Sequence, residues 1–133
     1  MTNKELKQLS YLKSEIKAVE LHIEELESIA ESTTAHLSSA GGSGSPSDKV
    51  AKYAAEIADC QNRLRDLRTQ CLAEAIRLEQ YINSIDDSFI RQIITYRHIC
   101  GYGWGKIARM IGGGNQGNTV RMAYFRYINK HKK

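Results

Sequence analysis

The chain has 133 residues, of which 26% are charged, with one Pro and three Cys. That bounds it to one domain, or one small domain with a helical extension, of all-α composition. Its apolar runs are short and Met1-Thr2-Asn3-Lys4-Glu5 lacks the apolar core of a signal peptide, so neither a membrane span nor a leader is expected. Cys60, Cys71 and Cys100 are odd in number and widely spaced, which fits a reducing cytoplasm rather than a disulfide framework. His22, His36, His98 and His131 show no paired ligand spacing, so neither a metal nor a cofactor is expected.

From Leu9 the apolar residues step by three and four through Leu12, Ile16, Val19, Ile23, Leu26, Ala30 and Leu37. A second such series runs through Val50, Tyr53, Ile57, Cys60, Leu64, Leu67, Cys71, Leu78, Tyr81 and Ile85, broken only by Glu74. Both are heptad seams with charged residues outside. They predict two helices of about 36 residues, roughly 54 Å each, forming an antiparallel coiled-coil hairpin over residues 1–85. The Ser- and Gly-rich stretch 38–47 reads as its flexible loop. Ser45 as N-cap, Pro46 at the first helical position and Asp48 behind them form a helix start signal. Two helices bury only a narrow core, which favours a homodimer through a four-helix arrangement. By itself this arm reads as a spacer or oligomerisation element with no chemistry.

Residues 88–133 hold nine Lys and Arg and no Asp or Glu, so the net charge of +4 hides an acidic first part and a strongly basic second one. A basic block of that size predicts a polyanionic partner. Its apolar pattern predicts three helices over residues 86–133. The first, capped by Asp86-Asp87-Ser88, runs from Phe89 to about Cys100. A short one from Trp104 to Ile111 is closed by Gly112-Gly113-Gly114, and a last one runs from near Asn115 to about Lys130. On that last helix Val120, Ala123, Tyr124, Tyr127 and His131 line one face. Asn118, Arg121, Met122, Phe125, Arg126 and Asn129 line the other, with Phe125 also suited to packing on a neighbouring helix. An apolar anchor opposite a face of Asn, Arg and Met suits insertion into the DNA major groove.

The run Arg97-His-Ile-Cys-Gly-Tyr-Gly-Trp-Gly-Lys-Ile-Ala-Arg-Met-Ile-Gly112 resembles the C-terminal DNA-binding domain, region four, of bacterial sigma factors. With Val120-Arg-Met-Ala-Tyr-Phe-Arg126 it looks similar to small sigma-like proteins of phages and prophages in Gram-positive bacteria. The resemblance covers about residues 86–130 and implies a helix-turn-helix, double-stranded DNA as partner, and contact with RNA polymerase. Carried over by position, Asn118, Thr119 and Met122 would meet bases and Arg121 the backbone. The interval from Gly112 to Val120 is longer than in that pattern, and the enlarged turn could hand base contact to Gln116.

The candidate DNA-contacting set is therefore Lys106, Arg109, Asn115, Gln116, Asn118, Thr119, Arg121, Met122, Arg126 and Lys130. Gly112-x4-Gly117-Asn118-Thr119 imitates a phosphate-binding P-loop, but Asn stands where the essential Lys belongs and a helix precedes it instead of a strand. No nucleophile–base arrangement is visible, so the expected function is not enzymatic. The sequence thus predicts a cytoplasmic, sequence-specific DNA-binding transcription regulator. The rival readings are a phage small terminase subunit, which also joins such a module to coiled-coil helices, and an adaptor whose basic end binds an acidic protein surface.

Overall fold

The computed structural model describes residues 1–40 and 46–132, and the protein is all-α, with no strand among the described residues. In chain order the elements are α1 (Asn3–Leu6), α2 (Gln8–Ala40), α3 (Pro46–Asn83), α4 (Ser88–Ile94) running into a π-helical turn (Thr95–Ile99), α5 (Trp104–Ile111) and α6 (Gly117–His131). Of the loop expected over 38–47, residues 38–40 are helical, since α2 continues to Ala40, and α3 already opens on Pro46, with Asp48 in its first turn. Residues 41–45, and with them Ser45, the expected N-cap, lie outside the described residues, as does the side chain of Leu37.

The chain forms two compact units, Ser14–Gln70 and the pair of segments Met1–Lys13 with Cys71–Lys133. The boundary expected between residues 85 and 86 is therefore not where the structure divides. The reason is the core, in which Leu6, Leu9, Leu78, Ile82 and Ile85 share one buried cluster with residues of α4, α5 and α6. Each such Leu or Ile contributes roughly 1.5–3 kcal/mol when fully buried, too much to leave outside.

Within Ser14–Gln70, α2 buries Val19, Ile23 and Leu26, and α3 buries Leu64 and Leu67. Ile16, Ala30, Val50, Tyr53, Ile57 and Cys60 are only half-buried. The seam is as thin as a two-helix pairing must be. Arg63 and Glu15 pair at 2.9 Å, and Arg68 and Glu20 at 3.2 Å, both well exposed. Exposed pairs of this kind contribute about 0–1 kcal/mol each.

In the other unit, the N-terminal segment starts earlier than the heptad series. Thr2 caps α1: its hydroxyl accepts from the Glu5 amide at 3.2 Å, and the Glu5 carboxylate accepts from the Thr2 amide at 2.7 Å. That reciprocal capping box holds the Glu5 carboxyl below its ordinary range. It also seats Leu6, one turn on, in the core. At the other junction Asp87 caps α4 by accepting from the Phe89 amide, and Arg91 donates to the carbonyls of Ile85 and Asp86 at 2.6 and 2.9 Å. Lys13 donates to the carbonyl of Ile99 at 3.0 Å, satisfying the end of the π-helical turn.

The π-helical turn ends the helix that was expected to run regularly to Cys100, and the Cys100 amide bonds back to Thr95. One extra residue per turn carries His98 inward, where it is 4% exposed. Its Nε2 lies 2.8 Å from the Tyr124 hydroxyl, which donates to Asn3 Oδ1 at 2.7 Å. A hydroxyl has one proton, so His98 must be the donor to Tyr124, which fixes the neutral Nε2–H tautomer. Tyr81 is less well served: its buried hydroxyl lies near Tyr127 but meets no partner in good hydrogen-bond geometry among the described residues, and burial pushes its pKa up to about 12.

Burial, reinforced by the positive charges of Arg97 and Lys7, pushes the His98 pKa down from 6.5 to about 4. The unfolded chain therefore binds this proton more readily than the folded one. The contribution of His98 is whole above about pH 6.5 and is lost as pH falls toward 4. Urea unfolding of the full chain should lose on the order of 3 kcal/mol across that window through this residue. His98→Gln should flatten the dependence there, and an unaltered slope in the variant would assign the loss to carboxylates instead.

Candidate nucleic-acid interface

The basic helices α5 and α6 meet across a turn built on three consecutive left-handed glycines, Gly112, Gly113 and Gly114, with φ of 74°, 68° and 75°. Side chains with a Cβ disfavour each of these conformations by about 1–2 kcal/mol, which explains the run of glycine. Asn115 completes the turn: its side-chain amide donates to the Gly112 carbonyl at 2.8 Å. Beyond it Gly117, the first residue of α6, sits where a Cβ would come within 3.1 Å of the Gly105 amide nitrogen and 3.2 Å of its Cα. The two helix starts therefore touch backbone to backbone, and this contact sets the angle of α6.

Three residues anchor α6 from below: Val120, Tyr124 and Ile128, all essentially buried. Ala123 and Tyr127 are half-buried beside them. His131, expected on the same face, is exposed; its ring stacks on Tyr127 at 4.1 Å instead. Phe125 turns toward α5 and packs on Trp104 at 6.1 Å and edge-on to Tyr124 at 5.0 Å. The face opposite the anchor carries Asn118, Thr119, Arg121, Met122, Arg126, Asn129 and Lys130, all exposed.

The candidate residues are not equally free. Gln116 is exposed at the N-cap and makes no side-chain capping bond. Asn118 and Met122 are neighbours one turn apart, with Nδ2 3.8 Å from Sδ. Arg121 leans its guanidinium over the Phe125 ring at 5.3 Å. Arg126 and Lys130 line a shallow groove of about 400 Å³ together with Phe89, Ile90, Ala123, Tyr127, His131 and the carboxylate-bearing Asp87. Lys106 and Arg109 are exposed on α5, where the Lys106 ammonium sits 3.8 Å above the Tyr102 ring. Asn115 is the exception, because the turn already uses its amide.

Two further cations of the block are committed to structure: Arg91, at the junction before α4, and Arg97, which donates to the Tyr102 carbonyl at 3.1 Å and stacks on Trp104 at 4.2 Å. Neither fixation is visible in a charge count. Asn3 and His98, which hold Tyr124, also escape sequence reasoning, since their partners lie far along the chain. What the surface offers chemically is a strip of neutral amide and thioether groups bordered by cations. Among the described residues no group of His, Cys, Asp and Glu could hold a metal ion, and no helix is long and apolar enough to cross a membrane. No protein-family model, curated protein or solved structure matches the chain.

The close approach at Gly117 and the left-handed turn make separable demands. Gly117→Ala should destabilise the protein by about 1–3 kcal/mol, because backbone atoms must part to admit the methyl group. Gly113→Ala has room but the wrong backbone, and should cost about 1–2 kcal/mol. Both follow from urea unfolding midpoints. A Gly117→Ala variant more stable than the parent, as helix propensity alone would give, would contradict the tight contact.

Proposed function

We propose that the chain is a sequence-specific double-stranded DNA-binding protein in which α5 and α6 act as a helix-turn-helix and α6 enters the major groove. The observation that carries this reading is the division of α6: Val120, Tyr124 and Ile128 anchor it, while Asn118, Arg121, Met122, Arg126 and Lys130 are presented outward. The whole block from residue 88 onward contains no acidic residue to oppose a phosphate backbone. Anchored on one side and armed with amides and cations on the other, such a helix has both halves of what groove reading requires. With the resemblance to region four, this supports a transcription regulator of the sigma-like kind found in phages and prophages. Contact with RNA polymerase rests on that resemblance alone.

A second reading is favoured by one observation. Leu21 and Ile29, within Ser14–Gln70, are exposed apolar residues on an arm whose seam is thin. Such residues favour self-association, and a ring of many copies would point to the DNA-packaging role of a small terminase subunit. A solution mass of one or two chains supports regulation.

The full chain should bind duplex DNA with an affinity that falls steeply as salt rises, because neutralised phosphates release counterions. Arg121→Ala should weaken all sequences about equally and reduce the salt slope by about one unit. Binding that is independent of salt, or that an acidic protein competes away while unrelated duplex does not, would favour the adaptor role instead.

A further inference from the structure

The way cations are distributed around α6 bears on which base pairs it would read. At 100° per residue Asn118, Met122 and Asn129 fall within about 40° of one another and form the crest of the exposed face. Arg121 and Arg126 lie roughly 60–80° to either side of it. Their surroundings hold them there: Arg121 lies over Phe125, which is packed on Trp104, and Arg126 lines the groove against Phe89 and Ile90. Lys130 shares that groove, and of the two cations on α5 Lys106 is drawn over Tyr102 while the Arg109 guanidinium lies beside Gly105, next to the start of α6. Asn118, Met122 and Asn129 are themselves uncharged, and Arg126 stands about 40° beyond Met122 with its side chain along the groove. The tip of the helix adds Gln116 and Thr119, both exposed, with Arg109 of α5 nearby.

Base edges discriminate among these groups. Guanine presents two acceptors in the major groove and is met best by Arg or Lys. Adenine presents an acceptor beside a donor, which the amide of Asn or Gln matches in one bidentate contact. Thymine adds a methyl group that favours apolar contact. Met122 is 50% exposed and touches the Asn118 amide directly. An amide and a thioether in contact one helical turn apart match adenine beside thymine. Asn115 cannot join them, since its amide closes the turn.

Resting on the DNA-binding reading above, we infer that the crest of α6 reads an A·T-centred site through the major groove, Asn118 meeting adenine and Met122 the thymine methyl, while Arg121 and Arg126 hold the phosphates on either side. Specificity and electrostatic attraction are then carried by different side chains.

The test is selection of bound sequences from a random duplex pool by the full chain, followed by anisotropy titrations at one fixed salt on the recovered site. The recovered site should be A·T-centred and bind about tenfold tighter than its G·C-substituted counterpart. Deoxyuridine in place of thymidine, which removes only the methyl group, should weaken binding severalfold, and Met122→Ala should abolish that sensitivity. Replacing adenine by 7-deazaadenine, which removes the major-groove acceptor, should do the same for Asn118 and its Ala variant. Both side chains are exposed, so circular dichroism of the variants should match the parent. A G·C-centred site overturns the inference and leaves DNA binding standing, as does duplex binding with no sequence enrichment. An A·T preference indifferent to both analogues also overturns it, because groove width would then be what is read. Failure to bind any duplex overturns the parent reading itself.

Discussion

Tyr124 is the residue on which the C-terminal helices depend. It is 1% exposed, and burial of so large a ring brings its hydroxyl into the core, where it must find partners. It finds two, from opposite ends of the chain: His98 on the π-helical turn and Asn3 on α1. Trp104 of α5 lies against the ring at 5.1 Å. One side chain of α6 thereby ties together α1, the π-helical turn and α5, and its position fixes the roll of α6 about its own axis. Desolvation raises the Tyr124 pKa and lowers that of His98, so both groups stay neutral and the hydrogen-bond chain keeps its direction. The outward face of α6 is a consequence of what is held underneath.

The charge distribution acquires a different meaning once the packing is known. Nine cations in one block suggest a uniform positive field. In the folded protein Arg91 and Arg97 serve carbonyls and an aromatic ring, and Lys106 is stacked on Tyr102. These cations still contribute long-range attraction, which depends little on which atoms they touch. The ones whose position could confer register are those at the rims of α6. A count of charges therefore describes attraction and says nothing about orientation.

Much of the helical order was legible in the residues, for reasons that were local. Proline at 46, Asp87 before Phe89, and the glycines after Ile111 are punctuation marks whose effect depends on neighbours only, and they fall at the ends of α3, α4 and α5. The division of α6 into Val120 and Tyr124 against Asn118 and Met122 was legible too, because helical periodicity alone decides it. What escaped was non-local. The heptad series began at Leu9, yet the helical segment begins at Asn3, although Thr2 and Glu5 carry the spacing of a capping box. Nothing in the order of residues says that Leu6 and Ile128 share a core, so the division between units was expected at 85 and lies elsewhere. The turn-closing bond of Asn115 was hidden for a similar reason. Whether an amide faces solvent or closes a turn is decided by the three left-handed glycines before it.

The discontinuous core has a consequence for how the chain is made. Asn3 and Tyr124 stand 121 positions apart, and Leu6 and Leu9 share a core with residues as distant as Ile128. A ribosome delivering the chain from its N-terminus releases those two leucines long before their partners exist. Ser14–Gln70, a compact unit by itself, is complete in the meantime, while Leu78, Ile82 and Ile85 then emerge with nothing to cover them. Closing so long a loop is slow, and uncovered apolar surface during the wait invites aggregation or proteolysis. A transcript cut short before the codon for Tyr124 would yield a chain with a formed arm and an open core, and such a product would be cleared rather than persist as a partly functional fragment. Closure of the core thus waits until α6 has been made.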